Sequence, residues 1–171
     1  MSPTSDFSFL FAYTDWERAQ WERWFRADDR DALAVGMGPH ANSQIGTVGE
    51  LVRHIFAAEQ RYVARIQSLP LSDGSGVAAH DIDALFAFGR RTREQMLDLV
   101  RDLPRERWET PMELQFGPRK AALLPATMVV QSLTHEVRHW AQIATLLRMD
   151  GYKVGSHDFL FSGIFERDLV H

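Results

Sequence analysis

The chain has 171 residues, 45% of them hydrophobic, and carries a formal charge of −4 with no cysteine. A chain of this size buries one core without covalent staples, and the lack of any Lys/Arg run argues against nucleic-acid binding, whose affinity rests on clustered cations. Without cysteine there is no disulfide framework, thiolate metal site or cysteine nucleophile, so a bound metal must use nitrogen and oxygen ligands, as suits a cytoplasmic protein.

We expect a single domain over residues 1–171. Residues 1–6 lack the basic start and apolar core of a signal peptide, and no apolar stretch is long enough to span a bilayer. From about Phe7 to Ala27, Phe9, Tyr13, Trp16 and Trp24 recur with other apolar residues at three- and four-residue spacing, which predicts an amphipathic helix rich in aromatics. Gly36-Met37-Gly38-Pro39 breaks that pattern. Thr47-Val48-Gly49-Glu50 then reads as a capping box opening a second helix that runs to about Ser68. Pro70 to Ser75 form a loop. Asp81 caps a third helix, whose Ile82, Leu85, Phe86, Met96, Leu99, Val100 and Leu103 keep a helical period until Pro104.

Between Glu109 and Lys120, Met112, Leu114 and Phe116 alternate with polar residues before Gly117-Pro118, which suggests a short hairpin or an extended crossover. A fourth helix starts near Pro125 and ends at Met149-Asp150-Gly151, where glycine suits the left-handed position after the last turn. The glycine- and phenylalanine-containing tail is expected to pack on the helices. Four helices with one longer connection, between the third and fourth, describe an all-α four-helix bundle, an architecture that builds metal sites from facing helices.

The most informative stretch is Thr134-His135-Glu136-Val137-Arg138-His139-Trp140-Ala141-Gln142. Four residues advance a helix by about 6 Å and return to nearly the same face, so both imidazoles converge on one ion. A third ligand must come from elsewhere, and His54 on the second helix is the best candidate. His40, His80, His157 and His171 are read as solvated histidines of loops and tails.

The Tyr13/Trp16 pattern on the first helix, His54 followed by Glu59 on the second, and His135-x-x-x-His139-x-x-Gln142 on the last resemble the DinB-like (YfiT-like) superfamily, over the chain up to about Gly151. The resemblance implies a four-helix bundle, commonly a homodimer, holding a divalent metal through three histidines at the mouth of a pocket; by position these are His54, His135 and His139. Related branches include enzymes that transfer low-molecular-weight thiols and a thiol-dependent isomerase. Ala141 departs from the glycine often found before the glutamine, which alters helix packing and leaves the ligand pattern intact.

Neighbouring residues have plainer readings. Glu50 belongs to the capping box, and Glu59 to a salt bridge with Arg53 or Arg61 on an exposed face; either could instead orient an imidazole. Gln142, one turn beyond His139, is within reach of the site. Tyr13 and Trp16 either line the pocket or belong to the core. Trp16, Trp21 and Trp24 spread around the first helix beyond one buried stripe, which points to a homodimer.

Three neutral imidazoles leave the 2+ charge of an ion uncompensated and at least one coordination position open, the arrangement of a Lewis acid that activates a small thiol or water. An all-nitrogen site suits Zn²⁺ or Ni²⁺ and admits Fe²⁺ or Mn²⁺. The catalytic residues, the substrate and the native metal are not fixed by this pattern. We expect a metal-dependent transferase or related enzyme acting on a small molecule. His135-Glu136-x-x-His139 also matches the zincin peptidase motif, with Glu136 as general base and Glu166 as a possible further ligand. Glu136 lies about 100° around the helix from His135, facing solvent or a neighbouring helix, so peptidase activity ranks second. A non-catalytic small-ligand-binding bundle of a stress response is the remaining alternative.

Overall fold

The computed structural model describes residues 7–38 and 45–164. The expectations for His40, Glu166 and His171 lie outside the described residues. Helix α1 spans Ser8–Ala27, α2 Val48–Gln67, α3 Ile82–Asp102, α4 Arg105–Trp108 and α5 Pro125–Met149; strands β1 (Met112–Phe116) and β2 (Arg119–Leu123) stand between α4 and α5. No helix among the described residues is long and apolar enough to cross a membrane.

Local chemistry sets the boundaries. The capping box forms at α2: Thr47 Oγ1 accepts from the Glu50 amide at 3.2 Å, and Glu50 Oε2 accepts from the Thr47 amide at 3.2 Å and the Gly46 amide at 2.6 Å. These bonds satisfy donors that the first helical turn leaves free. Asp81 caps α3 by accepting from the Ala84 amide at 3.0 Å. At the end of α5, Gly151 takes φ +81° and the Tyr152 amide reaches back to the Leu147 carbonyl at 2.9 Å, closing the helix as a glycine-terminated turn.

Helix α2 packs on α3 and α5, and α1 packs on the same two, so α1 and α2 occupy opposite corners of the bundle and α3 and α5 the other two. A second long connection, 28–47, therefore joins diagonal helices, in addition to the α3–α5 connection expected from the sequence. The latter contains the one-turn helix α4, which the sequence reading did not foresee, followed by the hairpin. Its strands are antiparallel, with Met112 opposite Leu123 and Leu114 opposite Ala121. Trp108 is buried beside Phe7, with ring centroids 6.0 Å apart, and Met112, Leu114 and Leu123 pack against the core from outside.

The core has two apolar regions. One gathers Trp21, Phe25, Leu51, Phe56, Trp140 and Ile143; the other gathers Phe11, Val63, Met96, Val100, Met128 and Leu133. The residue order on every helix puts Arg18, Glu59, Thr92 with Arg93, and Glu136 between the two regions, so all four long helices contribute to one buried polar layer. At Gly89 a β-carbon would stand 2.8 Å from the Phe56 ring, so glycine allows α3 to approach α2 this closely.

The described part of the tail packs back on α1. Trp24 Nε1 donates to the Lys153 carbonyl at 3.2 Å, and Arg30 stacks on the Tyr152 ring at 3.6 Å. His157 corrects the sequence reading. It is not solvated: its ring stacks on Trp21 at 4.4 Å, and its Nδ1 lies 2.5 Å from Glu17 Oε2. Tyr13 stacks on Trp16 at 5.9 Å, meets Phe159 edge-on at 4.8 Å and donates to the His157 carbonyl at 3.0 Å. The chain's own tail thus covers part of the aromatic surplus of α1, while Trp16 and Trp24 remain partly exposed.

Candidate metal centre

His54 stands on α2 about one turn beyond the capping box, and His135 and His139 stand one turn apart on α5. Because α2 and α5 are adjacent, the three rings converge. Their centroids are 5.2 Å (His54 to His135), 5.2 Å (His54 to His139) and 4.2 Å (His135 to His139) apart. One ring nitrogen of each lies within 4.8 Å of the others. Nε2 of His54 and Nε2 of His135 are 3.2 Å apart, close to the spacing of about 3.3 Å that two imidazole nitrogens take on a tetrahedral zinc. The donor set therefore fits one divalent ion.

Protonation supports that fit, because a ligand imidazole must be neutral. Burial, then the neighbouring His139 and Arg61, push the His54 pKa down to about 4. Burial, then His139, His54, Arg61 and Arg138, push that of His135 down to about 3. His139 is also lowered, by burial first, with Gln142 opposing and Arg138 assisting. Nδ1 of His139 lies 2.5 Å from Gln142 Oε1. With the amide oxygen accepting, Nδ1 carries the proton and Nε2 keeps its lone pair for a metal.

The cluster opens onto a cleft of about 690 Å³, walled on its apolar side by Met37, Ile45, Leu51 and Leu146 and on its polar side by Arg138, Gln142 and Thr145. Among the described residues, no carboxylate lines it. Tyr13 and Trp16 are not among its walls; they lie under the tail.

Glu136 and Glu59 point elsewhere. Glu136 is 2% exposed and accepts from Arg18 Nε at 2.7 Å, Arg18 Nη2 at 2.6 Å, Arg93 Nη2 at 3.1 Å and Trp140 Nε1 at 3.1 Å. Of the two orientations open to it in the sequence, it takes the one toward neighbouring helices. Glu59 is 1% exposed, and its partners are Arg18 Nη2 at 2.9 Å, Thr92 Oγ1 at 2.7 Å and Arg93 Nε at 3.3 Å. The expected surface pairing with Arg53 or Arg61 is therefore replaced by a buried one. The cost of burying its charge is outweighed by Arg18 and Arg93, which hold its pKa below the usual carboxylate range. Glu50 keeps its capping role, with Arg53 at 3.8 Å. His80 is exposed, as expected.

The sequence carries a signal for the polar layer. Arg18 falls in the buried series Phe11, Thr14, Arg18, Trp21 and Phe25, and Glu136 falls in the series Leu133, Glu136, Trp140 and Ile143. Charges within an apolar stripe imply buried partners on facing helices. The walls contributed by Met37 and Ile45 had no comparable signal, because they come from the irregular connection after α1.

The family model of the DinB superfamily matches residues 16–143, which include all three histidines. No curated protein matches the chain.

Proposed function

The chain belongs to the DinB superfamily, and on that premise we propose that it is a divalent-metal-dependent transferase, or a related enzyme, that activates a small thiol or water. The observation that carries the reading is the three-histidine cluster opening onto a cleft to whose walls the described residues contribute no carboxylate. A divalent ion bound there supplies Lewis acidity, favouring the deprotonated form of a thiol or water near neutral pH. Zn²⁺ or Ni²⁺ is the proposed occupant, with Fe²⁺ and Mn²⁺ as alternatives.

The chain's own groups do the rest. His54, His135 and His139 stay neutral at pH 7 because burial holds their pKa values down. Gln142 fixes the His139 tautomer. Met37, Ile45, Leu51 and Leu146 supply an apolar wall for the second substrate. In the thiol reaction, the S–H proton leaves to solvent, sulfur forms a bond to an electrophilic carbon, and the group on that carbon departs with its electron pair.

The peptidase reading lacks its base, since both oxygens of Glu136 are engaged by arginines on the side away from the cleft. A binding module remains the second reading, favoured by the apolar cleft walls. Metal analysis followed by a thiol-transfer screen separates them: turnover abolished by chelation supports the enzyme, whereas saturable binding without product supports the module. The proposed compartment is the cytoplasm, where small thiols stay reduced. We propose a homodimer on the resemblance alone; light scattering should give twice the 19.6 kDa chain mass, and a monomer mass at micromolar concentration overturns it.

A further inference from the structure

Among the described residues, Arg138 is the only one in the walls of the candidate metal cleft that carries a permanent charge. It is exposed, one turn from His135 and adjacent to His139 on α5, and it has no ion-pair partner among the described residues. The glutamates near the three histidines in sequence are engaged elsewhere: Glu136 and Glu59 are spent on Arg18 and Arg93, and Glu50, one turn before His54, accepts from the Gly46 and Thr47 amides in the capping box. A second cation lies on the other helix. Arg61 follows His54 by two turns, is half-buried, and acts electrostatically on both His54 and His135. Burial and then Arg65 lower the Arg61 pKa, opposed first by Tyr62 and then by Asp73 of an exposed loop. A site that binds a 2+ ion through three neutral ligands, with arginine on both flanking helices and no acid among the described residues of its walls, concentrates positive charge in a concave, half-buried space.

We propose that this cleft selects a thiol bearing a carboxylate, and that Arg138 is the residue that recognises the carboxylate. Residues three apart on a helix have side chains about 5–6 Å apart at their bases, so a sulfur held among the histidines and a carboxylate two or three bonds away from it span the distance to the Arg138 guanidinium. That guanidinium offers two parallel N–H donors, the geometry a carboxylate accepts. The assignment rests on the thiol reading above and adds the charge of the substrate to it.

The test uses full-length protein loaded with Co²⁺, titrated with three thiols of equal chain length: 3-mercaptopropionate, 2-mercaptoethanol and cysteamine. Sulfur-to-cobalt charge-transfer absorbance reads binding without requiring turnover. The ratio of the cysteamine to the 3-mercaptopropionate dissociation constant is expected to fall by about tenfold in Arg138→Gln, the scale of one partly screened charge pair, and to recover in Arg138→Lys. Cobalt content is expected to be the same in all three proteins, since Arg138 is not a ligand. An unchanged ratio in Arg138→Gln overturns the proposal. If no thiol produces the charge-transfer band, the thiol reading fails, and propionate against propionamide, read on the cobalt d–d bands, tests the anion selectivity alone. A propionate preference that Arg138→Gln abolishes sustains that selectivity, and no preference overturns it. A chain that takes up no cobalt overturns both readings.

Discussion

Arg18 on α1 holds Glu136 on α5 through two bonds, Nη2 to Oε2 at 2.6 Å and Nε to Oε1 at 2.7 Å, inside a layer that separates the two apolar regions of the core. Glu136 sits between the two α5 histidines in sequence. The same bonds that bury its carboxylate against α1 therefore fix the rotation of α5 that turns His135 and His139 toward α2. Fold and histidine cluster share one helix register, and the polar layer sets it. The burial cost of the Arg18 charge is more than offset by Glu136 and Glu59, which raise its pKa above the normal arginine value.

Removing one partner of such a pair leaves a buried charge uncompensated. Glu136→Gln is expected to destabilise the fold by about 3–5 kcal/mol. Chemical denaturation measures this directly, and a loss below about 1 kcal/mol, the scale of a surface pair, contradicts the structure. Under native conditions the folded variant should still take up metal, because Glu136 is not one of the three histidines and the glutamine oxygen can still accept from Arg18 and hold the rotation of α5.

The depressed histidine pKa values make a pH prediction with a definite sign. In the unfolded chain these imidazoles take up protons below about 6.5; in the folded chain His54 does so only near 4 and His135 near 3. Between those values the unfolded state binds more protons, so the stability of the metal-free protein falls as pH drops below about 6.5 and continues to fall toward 4. Metal affinity behaves differently, because proton competition at His54 and His135 starts only at their folded values. Calorimetric titration should find little proton competition from these two ligands between pH 7 and pH 5. Affinity falling by two or more powers of ten per pH unit from 6.5 downward would show ordinary imidazoles at both positions.

The helices, their caps and the histidine trio were legible because each depends on short-range pattern. Thr47 and Glu50 declare a capping box within four residues, and the His135/His139 spacing is a property of one helix. Partner choice was not legible in the same way. Glu59 has Arg53 and Arg61 nearby in sequence, and local spacing favours them. Its actual partners, Arg18 and Arg93, lie on two other helices and are brought to it only by assembly of the bundle. His157 was misread for the same reason. Its tail has no regular pattern, and its stacking surface on Trp21 exists only after the tail folds back on α1.

Gln142 offers a test of how the centre is pre-organised. Its side chain contacts His139 Nδ1 at 2.5 Å and is otherwise exposed on the cleft wall. Gln142→Leu should weaken metal binding by about 10- to 100-fold, the range for loss of a group that orients a ligand imidazole. Its unfolding midpoint without metal should stay close to wild type, since no buried partner is stranded. Equal metal affinity in the variant would show that His139 orientation does not depend on the amide.

The tail provides the last prediction. His157 stacks between its Glu17 contact and the Trp21 ring, and Trp21 in turn stacks on Trp140 at 5.5 Å with planes 15° apart. Trp140 donates to Glu136. A continuous line of contacts thus runs from the tail through the first helix to the helix that carries His135 and His139. His157→Ala removes both the stacking surface and the partner of Glu17, whose side chain is only 4% exposed. A charge-assisted hydrogen bond and an aromatic contact together predict a loss of about 2–4 kcal/mol. The tail should also lose its anchor, so limited proteolysis should cut residues 153–164 in the variant before it cuts the bundle, and amide exchange there should accelerate. If the variant matched wild type in stability and in tail protection, His157 would be a bystander and the tail would be held by Trp24 and Tyr152 alone.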